Sequence, residues 1–308
     1  MSSREVSHNP SGAALILGGG GSTGNAWLIG VIAGLFEAGL DVTDADVIVG
    51  TSAGSTAAVQ VSSKVAPTEL LAQILASAPA PTQSKAAPAS SDGARVPSRP
   101  ATNHMERTGA IIASAQDAAD MRRTLGAAAL AADTESPSAA HMQWRATVGA
   151  RLPIHIWPQR RLLITAVDAQ TGEPVVFDRH SGVDLVDAVA ASCASGMAHR
   201  IGDSQYIDGG YRSNADNADL AAGYGRVLVL SPFGGRSRTP VEWGLHLSTQ
   251  VDALQESGSS VETVFPEAGA EHMFGANAMN VSLRPAAARA GHDQGRALAA
   301  QLSGWWAC

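Results

Sequence analysis

Residues 46 to 55 read Asp-Val-Ile-Val-Gly-Thr-Ser-Ala-Gly-Ser, an apolar run feeding directly into Gly-x-Ser-x-Gly. Val47, Ile48 and Val49 have the β-branched, uninterrupted character of a buried parallel strand, and Ser55 to Gln60 is small and helix-compatible. A strand that ends in this pentapeptide and turns at once into a helix is a nucleophile elbow, which holds its serine at the tip of a sharp turn. Gly50 and Gly54 fit that turn sterically, because the chain presses on its neighbours and a Cβ at either place would clash. The segment therefore predicts an α/β fold with Ser52 as the nucleophile of an acyl hydrolase. A base and an oxyanion hole must then come from elsewhere. The pentapeptide also arises by chance in a chain with 32 glycines, so its context has to decide.

The context begins upstream. Ala13 to Leu17 reads as a strand, Gly18 to Gly24 as a glycine loop, and Asn25 to Ala38 as a helix with Leu28, Ile29, Ile32, Leu35 and Phe36 at helical spacing and Gly39 as its stop. With the strand at Val47 to Val49 this makes a β-α-β unit, which implies parallel strands and a right-handed crossover. The loop Gly18-Gly-Gly-Gly-Ser-Thr-Gly24 offers successive N–H donors at the positive end of a helix, a site for an anion. One reading is an oxyanion hole. Another is the dinucleotide loop of an oxidoreductase, since Gly19, Gly21 and Gly24 satisfy G-x-G-x-x-G. The dinucleotide reading wants an acidic residue at the end of the second strand. Here Asp44 and Asp46 precede that strand, and its end is the elbow.

At 308 residues, 45% hydrophobic and 16% charged, the chain can bury a large core, and a net charge of −7 gives no argument for nucleic acid. Its two cysteines, Cys193 and Cys308, form neither a disulfide framework nor a metal pattern, which fits a reducing, cytoplasmic setting. The polar N-terminus lacks a signal core, and no apolar run is long enough to span a bilayer. Peripheral contact with a membrane or lipid aggregate stays compatible with this composition.

Pro67 to Ser77 reads as a helix. Pro79, Pro81, Pro88, Pro97 and Pro100 then fall among Ala, Ser and Thr without apolar periodicity, so residues 78 to 104 read as an exposed, mobile excursion. Ile111 to Ala132 and Met142 to Ala150 read as helices, and 78 to 150 as an insertion, either a cap beside the site or a decoration. The core resumes with strands at Leu162 to Val167 and Glu173 to Phe177 around the turn Asp168 to Gly172, which together read as a hairpin. A helix at Val183 to Cys193, short strands at Gln205 to Ile207, Val227 to Leu230 and Val261 to Phe265, and helices at Gly244 to Glu256 and Pro285 to Leu302 complete the pattern.

Two kinds of base are open for Ser52. A Ser-Asp-His order would pair Asp208 with His246, His272 or His292, but the elbow comes after only two strands, and none of these histidines has a distinctive context. A carboxylate acting directly fits Asp208-Gly209-Gly210, where two glycines let the backbone approach another loop and the acid sits at a strand end. An ordinary Asp-Gly turn gives the same local sequence.

Taken together, Gly19-Gly-Gly-Ser-Thr-Gly24, Gly50-Thr-Ser-Ala-Gly54, the hairpin from Leu163 to Phe177, the helix end Ala190 to Ser195, and Tyr206-Ile-Asp-Gly-Gly210 with Asn214 resemble the bacterial patatin-like phospholipases, in that family's order. Residues 60 to 150 carry none of the resemblance. It implies a three-layer α/β/α core with a mainly parallel central sheet in one domain over 1 to 308. It also implies a Ser-Asp dyad of Ser52 and Asp208, and oxyanion donors from Gly19, Gly20 and Gly21. Gly24, Gly50, Gly54, Gly209 and Gly210 would support the elbow and loops. The implied activity is hydrolysis of a lipid or small ester through an acyl-enzyme, with no cofactor or metal. The oligomeric state is not implied. A catalytically silent lipid-binding relative is the other outcome. Thr23 stands where the family usually has Arg or Lys, and Asp216 where it often has Pro. A loop without a cation suits uncharged esters.

Overall fold

The computed structural model describes residues 11–77, 101–134 and 138–307. The elements run β1 Ala13–Leu17, α1 Gly21–Glu37, β2 Val47–Gly50, α2 Ala53–Val61, α3 Pro67–Ala76, α4 Ala101–Ser114, α5 Ala118–Thr134, α6 Ser138–Gly149, β3 Arg161–Asp168, β4 Pro174–Phe177, α7 Leu185–Ser192, β5 His199–Ile201, β6 Ser204–Asp208, β7 Arg226–Leu230, α8 Leu247–Glu256, β8 Ser260–Val264 and α9 Arg284–Trp306.

One eight-stranded sheet has the order β5-β6-β3-β2-β1-β7-β8, with β4 also paired to β3. The strands β3, β2, β1, β7 and β8 are parallel neighbours, and β4, β5 and β6 add antiparallel pairing at one side. The β-α-β reading is met by the register Leu15↔Ile48 and Leu17↔Gly50. The sheet is mixed, mostly parallel and flanked by helices, the α/β architecture the sequence implies.

Side chains alternate across it as a strand's period of two requires. Leu15, Leu17, Ile48, Ile164, Leu228 and Leu230 face a large core formed with α1, α2, α3, α7 and α9. Ala14, Ile16, Val47, Val49, Leu163, Val227 and Val229 face a thinner one closed by Leu247 and Leu254 of α8 and by Ala218 and Ala221. The three layers follow from both faces of the central strands being apolar.

The tightest packing joins α1 to α9. A Cβ added at Gly30 or Gly34 would lie 2.2 Å from the Ala288 oxygen or 2.1 Å from the His292 oxygen. The reverse holds at Gly291 and Gly295, where it would lie 2.4 Å from the Trp27 oxygen and 2.2 Å from the Val31 oxygen. Glycines four apart on both helices thus bring two backbones into direct contact.

Several boundaries differ from the sequence reading, two of them in kind. The first helix begins at Gly21 rather than Asn25, so the glycine loop is three residues of turn followed by a first helical turn. The expected helix at 111 to 132 is two helices, α4 and α5, separated near Gln116. Of the excursion read over 78 to 104, residues 78 to 100 lie outside the described residues, and 101 to 104 open α4. The helix α5 is tied to the sheet by Gln205 of β6, whose Nε2 donates to Asp133 Oδ2 at 2.6 Å. Among the described residues, no helix is long and apolar enough to cross a membrane.

Candidate active site

The C-terminal ends of parallel strands gather what a chemistry needs, because the loops that leave them converge on one edge of the sheet. Here β1 ends in the glycine turn and β2 in Gly50-Thr51-Ser52, and the antiparallel strand β6 ends in Asp208 beside them. The register Ala166↔Asp208 brings β6 beside the end of β3, which itself pairs with β2.

Ser52 caps α2 with φ 51° and ψ −119°, one of two non-glycine residues at positive φ among the described residues. A side chain in that region is strained by roughly 1–3 kcal/mol and persists only where its surroundings force it. They do so here. Ser52 N–H donates to Ser192 Oγ at 2.9 Å, and Thr51 N–H to the Leu17 carbonyl at 3.1 Å. A Cβ at Gly54 would sit 1.9 Å from the Leu17 oxygen, and one at Gly50 would sit 2.6 Å from the Ser55 Cα. The elbow is therefore pinned against the end of β1.

Ser52 Oγ donates to Asp208 Oδ2 at 2.8 Å, and Gly210 N–H donates to Asp208 Oδ1, also at 2.8 Å. The carboxyl is buried, and burial pushes its pKa up to about 6 against the pull of the Gly210 and Ser52 bonds. Gly209 is required by contact with β3, since a Cβ there would lie 2.1 Å from Thr165 Oγ1. His246, His272 and His292 do not join this pair. Their ring nitrogens bond the Thr239 carbonyl, the Gly269 carbonyl and Glu37 respectively.

The glycine turn lies beside the serine. Gly19 N–H is committed to the Ala215 carbonyl at 2.7 Å, and Gly24 N–H bonds back to Gly20 at 2.9 Å. The N–H groups of Gly20, Gly21 and Ser22, at the positive end of α1, have no partner among the described residues. Gly21 takes φ 62°, which a side chain would resist. The two departures from the family pattern are both buried. Thr23 N–H bonds the Ala278 carbonyl at 3.0 Å, and Asp216 packs beneath Gly18 with its pKa pushed up to about 7 by burial.

Residues that sequence reasoning passed over hold the frame. Asn217, in the left-handed region, donates from Nδ2 to Thr51 Oγ1, to the Gly209 carbonyl and to the Asn214 carbonyl, each at 3.0 Å. It ties the elbow to the Asp208 loop. Asn-Ala after Asp216 was its only sequence signal, since Asn tolerates that conformation better than other side chains.

A cavity of about 880 Å³ opens over Ser52. Ile29, Leu70, Ile74, Trp144, Met279 and Val281 supply much of its apolar lining, and the volume suits a ligand of drug or short-lipid size. Part of its wall is α6. Among the described residues no group of His, Cys, Asp or Glu could hold a metal ion. The arrangement joins a strained serine, a buried carboxylate in contact with it, unused backbone donors and an apolar cavity.

The family model described as Patatin-like phospholipase matches residues 15–221. No curated protein matches the chain.

Proposed function

The chain belongs to the patatin-like phospholipase family, a family of lipid acyl hydrolases, and from that premise we propose that it hydrolyses carboxylic esters with Ser52 as nucleophile and Asp208 as base. The observation that carries this is the 2.8 Å bond from Ser52 Oγ to Asp208 Oδ2 on a residue held at φ 51°.

In the proposed cycle the Asp208 carboxylate takes the Ser52 proton as Oγ attacks the ester carbonyl. The tetrahedral oxyanion faces the free N–H groups of Gly20 and Gly21. Gly19, whose N–H is used by Ala215, shapes the turn instead. Preorganised donors of this kind contribute roughly 3 kcal/mol each to the transition state. Collapse breaks the C–O bond, and the leaving alcohol takes the proton from Asp208. Water then attacks the acyl-enzyme, gives its proton to Asp208 and releases the acid with Ser52 restored. The cavity over Ser52 holds the acyl or alcohol portion, and the insertion serves as its outer wall.

A fluorophosphonate probe tests the assignment. It should label the wild-type protein at Ser52 and leave Ser52→Ala unlabelled, and Ser52→Ala should hydrolyse neither p-nitrophenyl esters nor short phospholipids. His246, His272 and His292 should each be dispensable. A histidine variant that stays folded and loses all turnover would reject the dyad, and a wild-type protein that takes no label would leave a lipid-binding relative without catalysis.

A further inference from the structure

The glycine loop has no cation at position 23, yet the cavity beside it does not lack positive charge. Arg151 and Arg284 are the charged residues in its lining, and no carboxylate is among the residues that line it. This stands against a chain whose net charge is −7.

The two arginines come from distant parts of the sequence. Arg284 opens α9 and donates to the Ser22 carbonyl at 2.7 Å, to Ser22 Oγ at 3.2 Å and to Asn25 Oδ1 at 3.2 Å. All three acceptors are neutral. The polar wall continues from there, with Asn25 Nδ2 donating to Gln60 Oε1 at 3.0 Å and Gln60 Nε2 to the Arg151 carbonyl at 3.1 Å. The Arg151 guanidinium lies 5.9 Å from the centroid of the Trp144 ring on α6. Among the described residues neither arginine is ion-paired.

Like charges that share a cavity repel. Burial, and after it the charge of Arg151, lowers the pKa of Arg284. A partly desolvated cation without a counter-charge is costly, and an anion entering the cavity would relieve that cost. Guanidinium forks match the paired oxygens of phosphate and carboxylate. The N-terminal end of α9 adds positive potential at the same place.

We propose that Arg151 and Arg284 form an anion subsite, so that the ester cleaved here carries a phosphate or carboxylate group on the same molecule as the scissile carbonyl. The substrate part of this statement rests on the hydrolase reading above; the subsite does not.

Ether ligands separate the two, because they bind without being cleaved. Titration calorimetry on the full chain at low salt would compare 1-O-octylglycerol 3-phosphate, a carboxylate-headed octyl ether and neutral 1-O-octylglycerol. We expect both anionic ligands to bind at least about tenfold tighter than the neutral one, and the tighter of the two names the head group. Arg151→Gln, an exposed position, should lower the preference several-fold. The double variant Arg151→Gln/Arg284→Gln should erase it, and Arg284→Lys should keep part of it. Equal binding of anionic and neutral ligands by the wild type, or a preference that survives the double variant, overturns the subsite. The matching esters are then assayed for hydrolysis. Anion preference without cleavage would retain the subsite and reject the hydrolase, whereas cleavage without preference would do the reverse.

Discussion

The two walls of the cavity over Ser52 are built on different principles. The wall formed by α1, α2 and α9 is set by backbone touching backbone, through Gly54 on the end of β1 and through Gly30, Gly34, Gly291 and Gly295 between the helices. The wall formed by α6 is set by side-chain reach. Trp144 Nε1 donates to the Ala190 carbonyl at 3.0 Å, and Arg145 pairs with Asp184 at 3.0 Å and Asp187 at 2.9 Å on a largely solvated surface. Met142 on the same helix is 69% exposed. A wall whose parts touch backbone to backbone has little room for another geometry. A wall held by long side chains has neighbouring geometries of similar energy. The groups proposed to carry the chemistry, Ser52, Gly20 and Gly21, belong to the first wall, and the second is free to select what enters.

Substitutions on the two walls should therefore fail in different ways. The largest effect is expected beside the fixed wall. Asp208→Asn should lower kcat/KM for a p-nitrophenyl ester by about 10³-fold or more, with the folded protein still present by circular dichroism. A variant within tenfold of wild type would remove Asp208 from the reaction. The same residue sets a pH dependence. With a folded pKa of about 6, the carboxylate form required of a base accumulates as pH rises through 6, so kcat/KM should climb between about pH 5 and pH 7. The stability sign is opposite. A carboxyl whose folded pKa is raised favours the fold below its ordinary value of 3.8 and loses that contribution as pH rises through about 6. Asp208→Asn should accordingly gain stability relative to wild type between pH 4 and pH 7, by roughly 2–3 kcal/mol, as read from denaturant midpoints.

Next in size is the glycine contact. Gly295→Ala places a methyl 2.2 Å from the Val31 oxygen, and α9 must move away. We expect a loss of about 3 kcal/mol, or roughly 5 °C in Tm for a chain of 308 residues. A variant as stable as wild type would show that α9 can slide. The smallest effects belong to the second wall. Arg145→Ala should cost no more than about 1 kcal/mol, because exposed ion pairs contribute little. Trp144→Phe loses the bond to Ala190 but keeps the ring, and should change KM among acyl chain lengths by less than about tenfold while kcat holds. A kcat collapse in either would mean the two walls are not independent.

Much of this was legible in the sequence, for reasons that particular residues make plain. The strands at 13, 47 and 227 declare themselves because both faces of a central parallel strand are apolar. Ser52 and Asp208 could be paired because each stands in a glycine frame that only close backbone contact explains. Two other outcomes follow from contacts no local pattern encodes. Gly19 looked equivalent to Gly20 and Gly21 until the Ala215 carbonyl took its N–H. Arg284 looked like an ordinary helix start, although it reaches Ser22 from the far end of the chain. The α1–α9 contact was readable after all. Gly30-Val-Ile-Ala-Gly34 and Gly291-His-Asp-Gln-Gly295 are the same small-residue spacing written twice. The edge strand β5, three residues long, is too short for periodicity to mark.

The register of β1 against β7 pairs Leu15 with Leu228, and this bears on how the molecule comes into being. β1 is an interior strand, third from one end of the ladder, and is made before the other seven described strands, yet one of its two neighbours leaves the ribosome about 200 residues later. At about 5–20 residues per second, Ala-Ala-Leu-Ile-Leu waits on the order of 10–40 seconds for that partner. A nascent chain halted at residue 221 would already hold every motif the family match covers, and β1, an interior strand of the finished sheet, would still be an open edge.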